Sequence, residues 1–450
     1  MINLGENMGT YFRTVNVEEN PLQKITEEIG INVQGQELTI KFLTIMKAMS
    51  LLENCKGTSG NVLLRSESGA GKDFLVSEVM RPWGFEKHDR IQKLTKEAIS
   101  YSDNEDFSYD GRSLHLEEVT SKTINNSTML TFLSNNYGET LTMKSVKDNE
   151  SQASGIKGKP IVLMTSSTLD LDYDNLRRIL VWYLDVSEEQ KRAVVRHRVQ
   201  VRNHKYSNSI NRSIRDYLTE LESGTFKVDV PFGEELSESL LSNYTDTIPT
   251  AIMTKIDFIL DFISAVAILN YKSRETTAAG FLVAQPEDWE IAKPILDELF
   301  KEGIVPVMLE ERDIVTVMGE SEPDVCPECN KIGCGDKSLF TIREMQNLLE
   351  YVPAYNTMVD RINSMITKGL ITKHRKSRCS YRRRQNGYRL NNFHKFSSIS
   401  LSISNTNDRS DRNTEMIETI KGEEREKDAS VHHFNHFNDS TISGEEKNEN

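Results

Sequence analysis

The stretch Ser66-Glu67-Ser68-Gly69-Ala70-Gly71-Lys72-Asp73 has the residue types of a loop that wraps an anion. Small residues let backbone N–H groups converge on a phosphate, the following helix offers its N-terminus, and a lysine reaches the outer phosphates. Ser68, Gly69, Ala70, Gly71, Lys72 and Asp73 are the expected nucleotide-binding residues. The loop departs from G-x-x-x-x-G-K-[ST] twice, with Ser66 at the first glycine and Asp73 at the hydroxyl that holds Mg²⁺. A carboxylate also holds Mg²⁺, so Asp73 is expected to take over that task. A second set is Leu114-His115-Leu116-Glu117-Glu118, an apolar run ending in paired acids. Glu117 is expected to share Mg²⁺ with Asp73, and Glu118 to polarise an attacking water. A third apolar run, Ile161–Thr165, ends in hydroxyls that can sense a γ-phosphate or orient water, with Thr165 first. Arg177 and Arg178 read by themselves as a solvated face, and an arginine there can also reach a neighbouring subunit's site.

Elements must hold these residues together. Residues 61–65, 113–116, 161–165 and 180–184 read as strands alternating with helices, which predicts an α/β fold with a parallel sheet. Beyond Ser187 the pattern turns helical, including an apolar block from Ile252 to Leu269 that carries Lys255, Asp257 and Asp261. Those charges and its length predict a buried helix rather than a membrane span. Pro286-Glu287-Asp288 opens another helix.

The chain has 450 residues, enough for two or three domains. It lacks a basic and apolar leader, and its five cysteines are too few for a disulfide framework. The expectation is a cytoplasmic protein with no membrane partner. The net charge of −13 argues against nucleic acid until its placement is considered. From Asp408 onward there are twelve acidic and six basic residues, whereas Ile371 to Lys395 contains basic residues and no acid. Local clustering governs phosphate contact. Arg378, Arg382, Arg383 and Arg384 are therefore expected DNA contacts. Lys144 and Lys147 are further candidates, on a hairpin read between Tyr137 and Pro160.

Cys326, Cys329 and Cys334 form C-x₂-C-x₄-C, three of the four ligands of a tetrahedral Zn²⁺. Cys379 or His374 can supply the fourth, and free thiols in a loop are the alternative.

The ordered set resembles the AAA+ ATPases, in particular the branch of minichromosome maintenance helicases and the helicase parts of phage and plasmid primases. The resemblance rests on the loop, the paired acids, Asn175–Asp185 with Arg177 at the finger position, and Ser187–Arg192 with Arg196-His197. It extends to Ile263–Leu269, Arg274 and Glu287–Ala292, which look like the helical lid. The Ser-Gly-Ala-Gly-Lys-Asp segment is also similar to enhancer-dependent transcription activators. The domain reading is a flexible leader (1–20), an AAA+ core (21–186), a helical lid (187–303), a cysteine-bearing linker (304–338), a winged helix (339–391) and a disordered acidic tail (392–450).

What the resemblance implies is a hexameric ring that hydrolyses ATP with Mg²⁺ between subunits and moves or unwinds DNA, with replication proteins as partners. The alternatives are an ATP-dependent remodeller tethered to DNA without unwinding, and a non-enzymatic DNA-binding protein with a degenerate nucleotide switch.

Overall fold

The computed structural model describes residues 16–92, 107–147, 150–169, 171, 173–202, 210–242, 248, 250–300, 309–320, 339–349, 353–368, 370–374 and 386–390. Its centre is a five-stranded parallel sheet of β1 (Asn61–Arg65), β2 (His88–Ile91), β3 (Ser113–Leu116), β6 (Ile161–Ser166) and β7 (Leu180–Tyr183), in the order β2-β3-β6-β1-β7. The remaining pair ahead of β6, β4 (Thr140–Lys147) and β5 (Glu150–Lys157), forms the expected antiparallel hairpin outside the sheet.

Strand alternation sorts the side chains into two layers. Val62, Leu64, Ile161, Leu163, Leu180 and Trp182 enter one core. Helices α1 (Pro21–Gly30), α2 (Glu37–Met49) and α3 (Lys72–Met80) cover that face. Leu63, Leu114, Leu116, Val162 and Met164 enter the other core, under α4 (Ser121–Ile124), α5 (Ser127–Phe132) and α6 (Tyr173–Arg178). Helix α2 is fixed on its face by Phe42 stacked at 4.3 Å on Trp182, whose indole N–H donates to Thr39 at 3.0 Å.

After β7 come α7 (Glu188–Arg202), α8 (Arg212–Glu222), α9 (Gly233–Leu241), α10 (Thr250–Leu269) and α11 (Pro286–Leu299). Two-residue strands β8 (Val228–Asp229) and β9 (Leu282–Val283) pair in parallel among them. Ser187 caps α7, with the Gln190 N–H donating to its hydroxyl at 3.3 Å. Helix α10 joins the first core, and no helix among the described residues is long and apolar enough to cross a membrane.

A smaller core holds α12 (Leu309–Glu320), α13 (Ile342–Leu348), α14 (Tyr355–Thr367) and the antiparallel pair β10 (Ile371–His374) and β11 (Gly387–Leu390). Thr341 and Glu344 close a capping box at α13. The boundary expected at 339 lies too late. Ile314 and Met318 of α12 pack in this core, and Glu311 pairs with Lys368 at 2.6 Å, because α12 has an apolar face that α13 and α14 bury. The flexible leader also ends earlier than expected, since Val17 is buried and Glu18 meets Lys272 at 3.0 Å. The rest of that leader and the acidic tail lie outside the described residues.

Candidate functional site

The chain turns around between β1 and β6. The connection from β1 runs through α3 on one face towards β2, and that from β6 runs through α6 on the other towards β7. Such a switch point leaves a crevice at the carboxyl ends of the two strands, the place where open α/β sheets take ligands. The loop from Ser66 to Gly71 opens there. Gly69 and Gly71 have φ of 81° and 87°, a left-handed conformation that glycine adopts without strain. Gly71 then starts α3, which points its N-terminus into the crevice.

Lys72 is 3% exposed, and its ammonium donates to the carbonyls of Ser66 at 3.3 Å and Glu67 at 3.1 Å. Its nearest carboxylate is Glu118, at 3.9 Å. Glu118 is 56% exposed and has φ of 43°, a rare conformation for a residue with a side chain. The Ser167 hydroxyl approaches its other carboxylate oxygen at 3.5 Å.

Behind the loop lies a connected polar group. The Thr165 hydroxyl donates to Asp73 Oδ1 at 2.7 Å and accepts from the Glu118 N–H at 3.2 Å. His115 Nε2 lies 3.2 Å from the same Asp73 oxygen. Strand alternation explains the meeting, because His115 sits between core-facing Leu114 and Leu116, and Thr165 continues the series Ile161, Leu163. Both side chains emerge on the face that α3 covers. The hydrogen bond to His115 holds the Asp73 carboxyl below its usual range, Thr165 adds to this, and burial opposes it. Glu117 is partly buried and paired with Arg90 of β2.

The expected Mg²⁺ pair is therefore a trio. One ligand atom from each of Asp73, His115 and Glu117 lies within 4.8 Å of the others. The two carboxylates fit Mg²⁺, but the imidazole nitrogen is a donor that Mg²⁺ seldom takes.

The acidic strand β3 does not adjoin β1, since β6 lies between them and supplies Thr165 as the bridge. Thr165 is fully buried with its hydroxyl engaged on both sides, so it positions Asp73 and Glu118. Arg177 is far from Lys72 in its own chain. It is the last residue but one of α6, and the carbonyl of Arg178, which ends the helix, accepts from the Asn61 side-chain amide at the amino end of β1. The loop lies past the other end of that strand, about 13 Å further by strand rise.

A cleft of about 790 Å³ flanks the loop. Sequence reasoning did not find its other walls, which are Asn32, Gln34 and Gln36 from the α1–α2 connection and Leu184, Val186, Gln190, Val194 and Arg198 at α7. No motif marks them; they meet because Gln36 donates to the Asp185 carbonyl at 2.8 Å and Gln190 donates to that of Gln34. Lys191 spans to Glu67 of the loop at 3.5 Å.

Of the expected DNA contacts, Lys144 and Lys147 lie on β4, opposite Ala153 and Glu150. Asp110 pins the hairpin base by accepting from the Gly138 and Lys159 N–H groups. Arg378, Arg382, Arg383 and Arg384 lie outside the described residues, as do Cys326, Cys329, Cys334 and Cys379. Neither a protein-family model nor a curated protein matches this chain.

Proposed function

We propose that the chain is an ATPase of the AAA+ type that assembles into a ring and uses hydrolysis to move along or unwind DNA. One observation carries the reading. Lys72, in a left-handed glycine turn at a helix N-terminus, faces Glu118 at 3.9 Å across the sheet's switch point. That spacing suits a cation that grips phosphate and a carboxylate that orients water. The adjoining cleft has the size of a small-molecule site and an apolar side formed by Phe74, Leu184, Val186 and Val194, which suits a nucleobase. A divalent cation at Asp73 and Glu117 would screen the phosphate charge. Arg177 stands too far away to serve its own loop, so it acts, if at all, on a second copy.

The test is ATP turnover of the full chain with and without DNA, together with strand displacement. DNA-stimulated hydrolysis with unwinding, abolished in Glu118→Gln, supports the motor. Absence of hydrolysis overturns it.

One feature favours the remodeller instead. Helix α14, the groove-facing helix of the expected winged helix, exposes Tyr355, Asn356, Thr357, Asp360, Asn363 and Thr367, and its one arginine, Arg361, is only partly exposed. A helix that docks against phosphates normally carries cations. Hydrolysis without unwinding identifies this second reading.

A further inference from the structure

We propose that Asp73, His115 and Glu117 form a site for a first-row transition ion, of which Mn²⁺ is the type, and that it loads without nucleotide. The inference rests on the proposed phosphate site, because Asp73 follows Lys72. It adds a ligand, His115, that the nucleotide reading does not require, and a selectivity for the metal that the nucleotide reading does not supply.

The donor set carries the argument. Two carboxylates and one imidazole, with one atom of each within 4.8 Å of the rest, make a mixed N/O face. The 3.2 Å between His115 Nε2 and Asp73 Oδ1 is close to the separation of neighbouring ligands around an ion with bonds near 2.1 Å. Imidazole suits the later first-row ions, Fe²⁺ through Zn²⁺, whereas Mg²⁺ prefers oxygen donors and retains its waters; Mn²⁺, the weakest binder of the series, is the most stringent probe of the imidazole ligand.

The supporting shell is also present. Thr165 donates to Asp73 at 2.7 Å, Arg90 pairs with one oxygen of Glu117, and the His115 ring stacks 6.2 Å from that of His88. Outer partners of this kind orient the two carboxylates, while packing alone holds the ring, whose Nδ1 is buried with no hydrogen-bond partner among the described residues. His115 is 0% exposed and lies on a strand, so its ring is held in place, while the partly exposed Asp73 leaves the ion a path from solvent.

The test uses the full chain without nucleotide and Mn²⁺ as the probe, since Mn²⁺ has little affinity for the cysteines elsewhere in the chain. Mn²⁺ is titrated by electron paramagnetic resonance in competition with Mg²⁺. Pulsed spectra are read for ¹⁴N modulation from a bound imidazole. The expected results are one Mn²⁺ per chain, at least tenfold preference over Mg²⁺, and clear ¹⁴N modulation. His115→Gln should lose the modulation and the preference while keeping weak carboxylate binding. Glu117→Gln, at the rim of the cluster, should weaken Mn²⁺ at least tenfold with the modulation retained. Equal affinity for the two ions, or no ¹⁴N modulation in the unaltered chain, overturns the proposal. Since nucleotide is absent, that failure leaves the ATPase reading standing, and a failed ATPase assay leaves this one standing.

Discussion

Two cations, Lys72 and the partly buried Arg274, show how differently the molecule treats charge at the crevice and in the helical segment after it. Arg274 is clamped by Asp288 through two bonds, of 2.9 and 2.7 Å. Asp288 also accepts from Asn270 at 3.1 Å and from the Gln285 N–H at 2.9 Å, and is 0% exposed. All its strong acceptor directions are filled, and the group ties the end of α10 to the start of α11. Lys72 is the more buried of the two, yet it leans on two carbonyls of its own loop and a carboxylate at 3.9 Å. Those partners are weak enough for an incoming anion to replace them. The sealed pair belongs to folding; the loosely held lysine belongs to a site that exchanges partners.

The largest effect should come from breaking the sealed pair. Asp288→Ala strands a partly buried guanidinium and should cost about 3–5 kcal/mol in denaturant unfolding. Glu118→Gln, at the half-open site, should leave the unfolding midpoint unchanged while hydrolysis falls at least a hundredfold. Equal stability losses for the two variants would erase the distinction.

Lys255 sharpens the comparison, because it is a sealed cation whose acceptor among the described residues is a carbonyl, that of Leu176 at 3.4 Å. Burial pushes its pKa down to about 8. A depressed lysine contributes stability above its unfolded value near 10.5 and loses it as pH falls through about 8. Lys255→Met should therefore stabilise the fold at pH 7 by on the order of 2 kcal/mol, with the gain vanishing above about pH 10.5. Unfolding curves at pH 7 and pH 10.5 check it.

Thr165→Val removes the bridge between Asp73 and Glu118. It should cost about 1 kcal/mol of stability, raise the Asp73 carboxyl towards its usual range, and slow hydrolysis roughly tenfold. The smallest effect is expected at Gly71→Ala. A Cβ there meets no atom within 4 Å, so only the left-handed φ of 87° is penalised. That amounts to about 1 kcal/mol, read as a modest fall in unfolding midpoint with weaker nucleotide binding.

Much of the sheet was legible because its strands β1, β3, β6 and β7 are apolar runs of strand length. The edge strand β2 was not, since His88-Asp89-Arg90-Ile91 carries three polar residues and pairs on one side only. The loop, Lys72 and the paired acids announce themselves through residue type and local spacing. Their mutual placement does not, because strand order is a long-range choice; nothing in residues 61–118 says that β6 will insert between β1 and β3. His115 was visible as a polar residue inside an apolar run, but its meeting with Asp73 needs the face of α3 to be known. The cleft walls at Asn32–Gln36 and at α7 lie far apart in sequence and join through backbone carbonyls, which any residue carries.

The claim on which the account depends is that Lys72 grips a nucleotide triphosphate. Titration of the full chain with a fluorescent ATP analogue, for the unaltered protein and Lys72→Ala at matched unfolding midpoints, addresses it most directly. The account predicts saturable binding that Lys72→Ala weakens at least thirtyfold and that unlabelled ATP reverses. Equal affinity in the two proteins, or no saturable binding in either, would contradict it.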